Sequence, residues 1–182
     1  MKLDSKDWAL TSVFAALYVV VNVLQMVSFG NPTVYGPIQL RVADCLIALS
    51  ALMGWPVVAG VTAGCFLTNA YYFIGTQDVV FGPIANLAAA TLVLLMRRHH
   101  FMGCVLGALP IGFIVGGYLW VFFPPPDAFG TLPVWAGMMA SVTVSSLIAI
   151  AVIGYVLLWT LSRRNVIEPL KSHGLKVVNA DN

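Results

Sequence analysis

The sequence predicts an all-α integral membrane protein built as a bundle of six transmembrane helices. Three properties of the 182-residue chain point to this fold class: 60% of its residues are hydrophobic, 9% are charged, and its mean hydropathy is +0.92. A soluble domain carries about a quarter charged residues, so this chain is expected to be surrounded by lipid. The net charge of +2 is too small for a nucleic-acid-binding surface, and no nucleic acid partner is expected.

Six apolar segments predict the helices in order. They cover residues 8–28, 38–54, 56–74, 78–96, 101–123 and 134–161, near the roughly 20 residues that a transmembrane helix needs. The first segment contains Asn22 and Gln25 and has no small-residue cleavage site, so we interpret it as a retained helix rather than a signal peptide. Residues 1–164 are predicted to form one transmembrane domain, and residues 165–182 a short cytoplasmic tail.

The basic residues predict the orientation, because lysine and arginine stay on the cytoplasmic side during insertion. With the N-terminus inside, the cytoplasmic side holds Lys2, Lys6, Arg97, Arg98, Arg163, Arg164, Lys171 and Lys176. The remaining basic residue, Arg41, falls near the outer end of the second segment. We therefore expect a multi-pass protein of the cell membrane with both termini in the cytoplasm.

Small residues four positions apart predict close contacts between helices, since helices in lipid associate where their backbones can approach. Most of these positions are expected to serve contacts within the bundle: Gly60, Gly64, Gly103, Gly107, Gly112, Gly116, Gly137, Ser141, Ser145 and Ala149. On the first segment, Ala9, Ser12, Ala15 and Ala16 form a smooth face near the cytoplasmic side. A helix of a partner protein is the expected occupant of this face.

Polar residues converge in the outer half of the predicted bundle. At about 1.5 Å per residue, Asp44 and Asn69 lie about 9 Å deep and Asn86 about 12 Å deep. Gln39 and Arg41 lie at the mouth of the second helix, and Asp78 opens the fourth. An ionisable residue inside a span is costly and by default indicates a functional site.

Each of these residues also has a structural interpretation. Asp78 can be a helix N-cap, Arg41 and Asp44 can neutralise each other on one helical face, and Asn69 and Asn86 can form interhelical hydrogen bonds. Tyr72 and Trp120 fall at the same outer level, where interfacial belts enrich aromatic residues. The shared depth favours a binding site, because carboxylate, amide and aromatic groups together suit a small, flat, polar heterocycle.

Sequence motifs for an energy source or a catalytic site are absent. The chain has no GxxxxGK[ST] loop, HExxH or GxSxG, and its three cysteines lie within spans without CxxC spacing. We expect no catalytic residue, no metal and no cofactor. A substrate site without ATPase motifs indicates either a secondary transporter or the binding subunit of a larger transporter, and the lack of a clear three-plus-three inverted repeat favours the second.

A fairly specific pattern runs through Tyr35-Gly36-Pro37-Ile38-Gln39-Leu40-Arg41-Val42-Ala43-Asp44, residues 60–69 and Asp78-Val79-Val80-Phe81-Gly82. It resembles the QueT family, whose signature is Gly, any residue, Ile-Gln-Phe-Arg, an aliphatic residue and Ser-Glu, followed by a glycine-containing helix and an Asp-Val-Phe-Gly helix start. Residues 15–20 also resemble the first helix of that family. The chain differs in carrying Asp44 for the usual Glu and Ala43 for Ser, and Asn86 lies within a stretch that varies in the family.

The resemblance implies a six-helix S component, the substrate-binding subunit of an energy-coupling factor (ECF) transporter, with 7-deazaguanine queuosine precursors as substrates. It also implies a transmembrane coupling subunit, EcfT, and two cytoplasmic ECF ATPases as partners. We hypothesise that Asp44 pairs with the donor edge of the base, oriented by Arg41, and that Asn69 and Asn86 bond its other polar atoms. In this hypothesis Asp78 meets a cationic aminomethyl group, and an aromatic residue stacks on the ring. The alternatives are another vitamin-like substrate and a stand-alone permease.

Overall fold

A computed structural model describes residues 4–30, 40–129, 131–172 and 177. These residues contain helices and no strand, which confirms the all-α prediction for the described part of the chain. The helices are α1 (Ser5–Phe29), α2 (Val42–Met53), α3 (Trp55–Tyr71), α4 (Thr76–Leu95), α5 (His100–Leu119), α6 (Val134–Leu161) and α7 (Arg164–Ser172). A single 3₁₀ turn, Asp127–Phe129, precedes α6.

Four of the described helices are long and apolar enough to cross a membrane. They are α1 over Ser5–Ser28, α4, α5 and α6. Helix α2 is apolar but short, and α3 has 17 residues. The fold is therefore that of a multi-pass membrane protein, with four candidate spans in the described residues where the sequence predicts six.

Several helix boundaries differ from the predicted ones: α1 begins at Ser5 instead of residue 8, and α3 ends at Tyr71 instead of residue 74. The second segment was predicted from residue 38, but α2 begins at Val42, and residues 31–39 lie outside the described part. The fifth was predicted to reach residue 123, but α5 ends at Leu119, a few residues before Pro124-Pro125-Pro126. Proline lacks the backbone N–H that a helix needs, so this stretch continues as irregular chain.

Glycines bring α1 and α3 into close contact. A Cβ atom added to Gly60 would lie 2.6 Å from the Cβ of Phe14, and one added to Gly64 would lie 2.7 Å from the Cβ of Tyr18. The two contacts advance in the same direction along both helices, so α1 and α3 run parallel. The predicted role of this glycine pair in close helix contact is confirmed.

Glycines of α5 allow close contact with α4 on one side and with α6 on the other. A Cβ atom on Gly107 would lie 2.6 Å from Cγ2 of Val93 in α4, and one on Gly116 would lie 2.6 Å from Cα of Met139 in α6. Since close backbone approach is what holds helices together in lipid, these contacts fix α5 between α4 and α6.

Two irregularly wound segments lie against each other in the bundle. The first eight residues of α2, Val42–Leu49, form a 3₁₀-helix, and the middle of α6, Leu147–Gly154, forms a π-helix. A Cβ atom on Gly154 would lie 2.7 Å from the carbonyl oxygen of Cys45 and 2.9 Å from the Cβ of Ala48. Long runs of either winding are uncommon, and π-helical turns are frequent at functional sites.

Candidate binding site

Asp44 is a buried carboxylate near the start of α2. It is 4% exposed, and its Oδ1 accepts a hydrogen bond of 2.6 Å from the hydroxyl of Tyr18 in α1. The amide Nδ2 of Asn86 in α4 donates in turn to the Tyr18 hydroxyl oxygen at 3.0 Å. One chain of buried polar groups therefore joins α1, α2 and α4.

Arg41 precedes α2 and is not part of its first turn. Its backbone is extended, with φ −97° and ψ 99°, so Arg41 is the N-cap of α2 and lies outside its helical winding. The physical reason is Gln25 of α1, whose Nε2 donates to the carbonyl of Leu40 and whose Oε1 accepts from the N–H of Val42 at 2.9 Å. These side-chain bonds satisfy the backbone of Leu40 and Val42, while the carbonyl of Arg41 accepts from the N–H of Asp44 at 3.2 Å.

A second cluster of buried polar side chains is centred on Asp78. The hydroxyl of Tyr118 in α5 donates to Oδ1 of Asp78 at 2.6 Å, and Nδ2 of Asn69 in α3 donates to the backbone carbonyl of Asp78 at 2.9 Å. Gly75 is the N-cap of α4, so the N-cap interpretation of Asp78 is wrong, although its place in the first turn still suits the helix dipole. An added Cβ on Gly82 would collide with Nδ2 of Asn69, so glycine makes room for this bond.

A small cavity separates Asp44 from α5 and α6. Four polar residues and four apolar ones line it: Arg41, Asp44, Ser145 and Ser146, and Ile111, Val115, Leu119 and Val142. Its volume is about 20 Å³, which is room for one or two water molecules. A bicyclic ring is larger than this cavity, so it would fit only after the lining helices move apart.

Other predicted site residues lie elsewhere. Trp120 is 41% exposed, and its Nε1 donates to the carbonyl of Gly117 in its own helix at 2.9 Å. The ring of Tyr72 contacts Tyr71 edge-on, with 4.8 Å between the centroids. Neither aromatic residue lines the cavity beside Asp44. Gln39 lies outside the described residues.

The predicted docking face lies on the outer side of α1. Ala9, Ser12 and Ala16 are exposed, and the Ser12 hydroxyl bonds the carbonyl of Trp8 in its own helix. Ala15 is half-buried because its carbonyl oxygen faces Gly64 of α3. Three of the four residues are thus accessible from outside the bundle.

Sequence reasoning missed the tyrosines that bond the two carboxylates. Tyr18, Asn22 and Gln25 follow the i, i+4, i+7 spacing of one helical face. That spacing was the signal for a polar stripe on an otherwise apolar helix. Tyr118 has no comparable signal, because a tyrosine near the end of a span is usually interfacial.

Buried charged groups inside a multi-pass helical bundle are typical of transport proteins. A family model described as QueT transporter matches residues 8–163. The chain belongs to the QueT transporter family, which confirms the resemblance found in the sequence. No curated protein and no solved structure matches the chain.

Proposed function

We propose that this protein is the S component of an ECF importer and that it captures a 7-deazaguanine queuosine precursor outside the cell. Membership in the QueT transporter family supports this role. The observation that carries it is the buried carboxylate of Asp44, which lines a cavity together with the guanidinium-bearing Arg41 inside the helical bundle. Charged groups are expensive inside a membrane and are retained where a substrate or ion requires them.

The donors and acceptors at this cavity suit the polar edge of a guanine-like base. Asp44 accepts from the ring N1–H and the exocyclic amine, and Arg41 donates to the ring carbonyl. Asp78 is the proposed partner of a cationic aminomethyl substituent. The remaining proposed contacts are hydrogen bonds from Gln39, Asn69 and Asn86, and stacking by Tyr72 or Trp120, which requires either aromatic ring to move towards the cavity.

The proposed topology has six spans, with the site at the outer end and both termini in the cytoplasm. Asp78 lies in the first turn of α4, and Arg97 and Arg98 follow its end, so the carboxylate and the arginines lie at opposite ends of this helix. The rings of Phe101 and Tyr155 are 5.4 Å apart, which brings the α4–α5 turn close to the last part of α6. Basic residues favour the cytoplasmic side, and this supports an outward-facing site.

The proposed partners are EcfT and two ECF ATPases. The two ATPases hydrolyse ATP, for which this chain has no sequence motif. The exposed face formed by Ala9, Ser12 and Ala16 on α1, with Ala15 at its edge, is the proposed docking surface for EcfT. Small side chains there allow close approach of a second helix in lipid.

Direct binding to the purified protein tests the substrate assignment. Asp44→Ala removes one partner of a buried charged contact, so the affinity for an aminomethyl- or nitrile-bearing 7-deazaguanine is expected to fall by about 2–5 kcal/mol, at least about thirtyfold. Asp127→Ala is the matched control, because Asp127 is exposed, and it should bind like the wild type. Wild-type affinity in Asp44→Ala would overturn the assignment.

Two further measurements separate the alternatives. Mass spectrometry of small molecules that co-purify with the protein identifies the substrate, and a different vitamin-like compound there would replace the deazaguanine while leaving the S-component role intact. Uptake is then measured in a host without ECF coupling subunits. An S component binds its substrate there without accumulating it, whereas a stand-alone permease accumulates it.

A further inference from the structure

Helix α6 contributes two buried serines to the lining of the cavity that Asp44 lines. Ser145 is 2% exposed and Ser146 is 3% exposed, and both belong to the lining. The sequence explains Ser145 only as part of a small-residue strip for helix contact. Helix contact alone accounts for the small size of these residues, but not for two adjacent serines in the lining of a cavity that also contains a buried carboxylate.

The hydrogen bonding of Ser145 leaves it able to accept from a ligand. Its hydroxyl donates to the backbone carbonyl of Ser141 at 2.8 Å. A serine hydroxyl has one donor and two acceptor positions, so the Ser145 oxygen keeps its acceptor capacity. The lining residues therefore include acceptors from two helices, the carboxylate of Asp44 in α2 and the hydroxyl oxygen of Ser145 in α6.

The remaining lining residues indicate the shape and polarity of a ligand that fits this cavity. Ile111 and Val115 of α5 and Val142 of α6 are apolar, so they suit the face of a ring. Arg41 is the donor for a carbonyl oxygen. The cavity as a whole is complementary to a flat ring that carries several N–H donors and one carbonyl along its edge.

We propose that the substrate is bound in this cavity between α2 and α6, and that Ser145 and Ser146 determine which ring donors are accepted. The assignment rests on the proposed function and extends it to α6, the last long helix of the bundle. Ser146 is the residue immediately before the π-helical segment Leu147–Gly154, and that segment contacts the 3₁₀ part of α2 through Gly154. Substrate entry therefore increases the distance between the two irregular segments.

Alanine substitutions test the contribution of the two hydroxyls. Ser145→Ala and Ser146→Ala each remove one hydrogen-bonding group, so the dissociation constant of the full-length purified protein for a 7-deazaguanine should rise about three- to tenfold. Ser141→Ala is the matched control, because Ser141 lies on the same helix, is fully buried and does not line the cavity. Its dissociation constant should change less than about twofold if the effect requires a cavity-lining hydroxyl. Unchanged affinity in both test variants, with the wild type binding, would overturn the assignment.

A labelling experiment tests the location without relying on affinity. Ser146→Cys is nearly isosteric, and the modification of position 146 by a small thiol reagent is followed by mass spectrometry of the peptide that contains it. Saturating 7-deazaguanine should slow this modification, while Ser162→Cys near the end of α6 should react at the same rate with and without the base. Equal rates at position 146 with bound base would overturn the cavity assignment alone. Failure of the wild type to bind any 7-deazaguanine would overturn the proposed substrate class and this assignment together.

Discussion

The hydroxyl of Tyr18 lies 2.6 Å from Oδ1 of Asp44 and ties α1 to the 3₁₀ segment of α2. Both residues are buried, so the bond forms where water cannot replace it. A hydrogen bond to a carboxylate is shorter and stronger than one between neutral groups. This contact is therefore expected to matter both for stability and for the position of the carboxylate.

Tyr18→Phe should destabilise the protein by about 1–2 kcal/mol, the upper part of the range for interhelical hydrogen bonds in membranes. The ring still fills its place, while Asp44 loses a donor. The measurement is the free energy of unfolding in detergent micelles. Tyr155→Phe is the control, because the Tyr155 ring packs edge-on against Phe101 at the other end of the bundle; equal losses in the two variants would contradict the special role of Tyr18.

Asn86 and Tyr18 should be energetically coupled, since Asn86 donates to the Tyr18 hydroxyl at 3.0 Å. In a double-mutant cycle of Tyr18→Phe and Asn86→Ala, the coupling energy should be at least about 0.5 kcal/mol. The same cycle with Tyr155→Phe in place of Tyr18→Phe should be additive. Additivity in both cycles would show that Tyr18 and Asn86 have no coupling energy, which would contradict this prediction.

Gly64→Ala should move α1 away from α3. The new Cβ would lie 2.7 Å from the Cβ of Tyr18 and 2.9 Å from the carbonyl oxygen of Ala15, and such overpacking costs about 1–3 kcal/mol. Unfolding free energy and ligand affinity should both fall, because Tyr18 moves with its helix. Gly117→Ala is the control, since its nearest neighbour is the flexible end of Met139 at 3.7 Å; similar losses at both positions would contradict this explanation.

Gly82→Ala should break the bond between Asn69 and Asp78, because the added Cβ collides with the Asn69 amide. The loss of unfolding free energy should be about 1–2 kcal/mol. Removing the amide as well, in Gly82→Ala with Asn69→Ala, should restore part of the stability by relieving the collision. A double variant less stable than Gly82→Ala would show that the damage arises elsewhere.

Much of the fold could be predicted from the sequence because lipid imposes strong constraints. Every backbone N–H and C=O group in the hydrocarbon must be hydrogen-bonded within the protein, so long apolar segments become helices. A close helix contact at Gly60 and Gly64 could also be predicted, because both residues lack side chains. The winding of α2 could not be predicted in this way. It depends on tertiary contacts such as the bonds from Gln25 to Leu40 and Val42.

The sequence predicts which polar residues share one level of the bundle, but not which neighbouring residue each side chain contacts. Asp44 and Asn86 occur together in the structure because Tyr18 lies between them. Trp120 was placed at the same level, but its side chain bonds its own helix. Depth follows from the position of a residue along a span, whereas the side that it faces depends on how each helix is rotated in the bundle.

The tight winding of α2 changes how far its few residues extend. A 3₁₀-helix rises about 2.0 Å per residue and an α-helix about 1.5 Å, so the eight residues Val42–Leu49 extend about 16 Å instead of about 12 Å. With the four α-helical residues Ser50–Met53, α2 reaches about 22 Å, roughly three-quarters of the ~30 Å hydrocarbon thickness. A residue count at the α-helical rise therefore underestimates the length of this short helix.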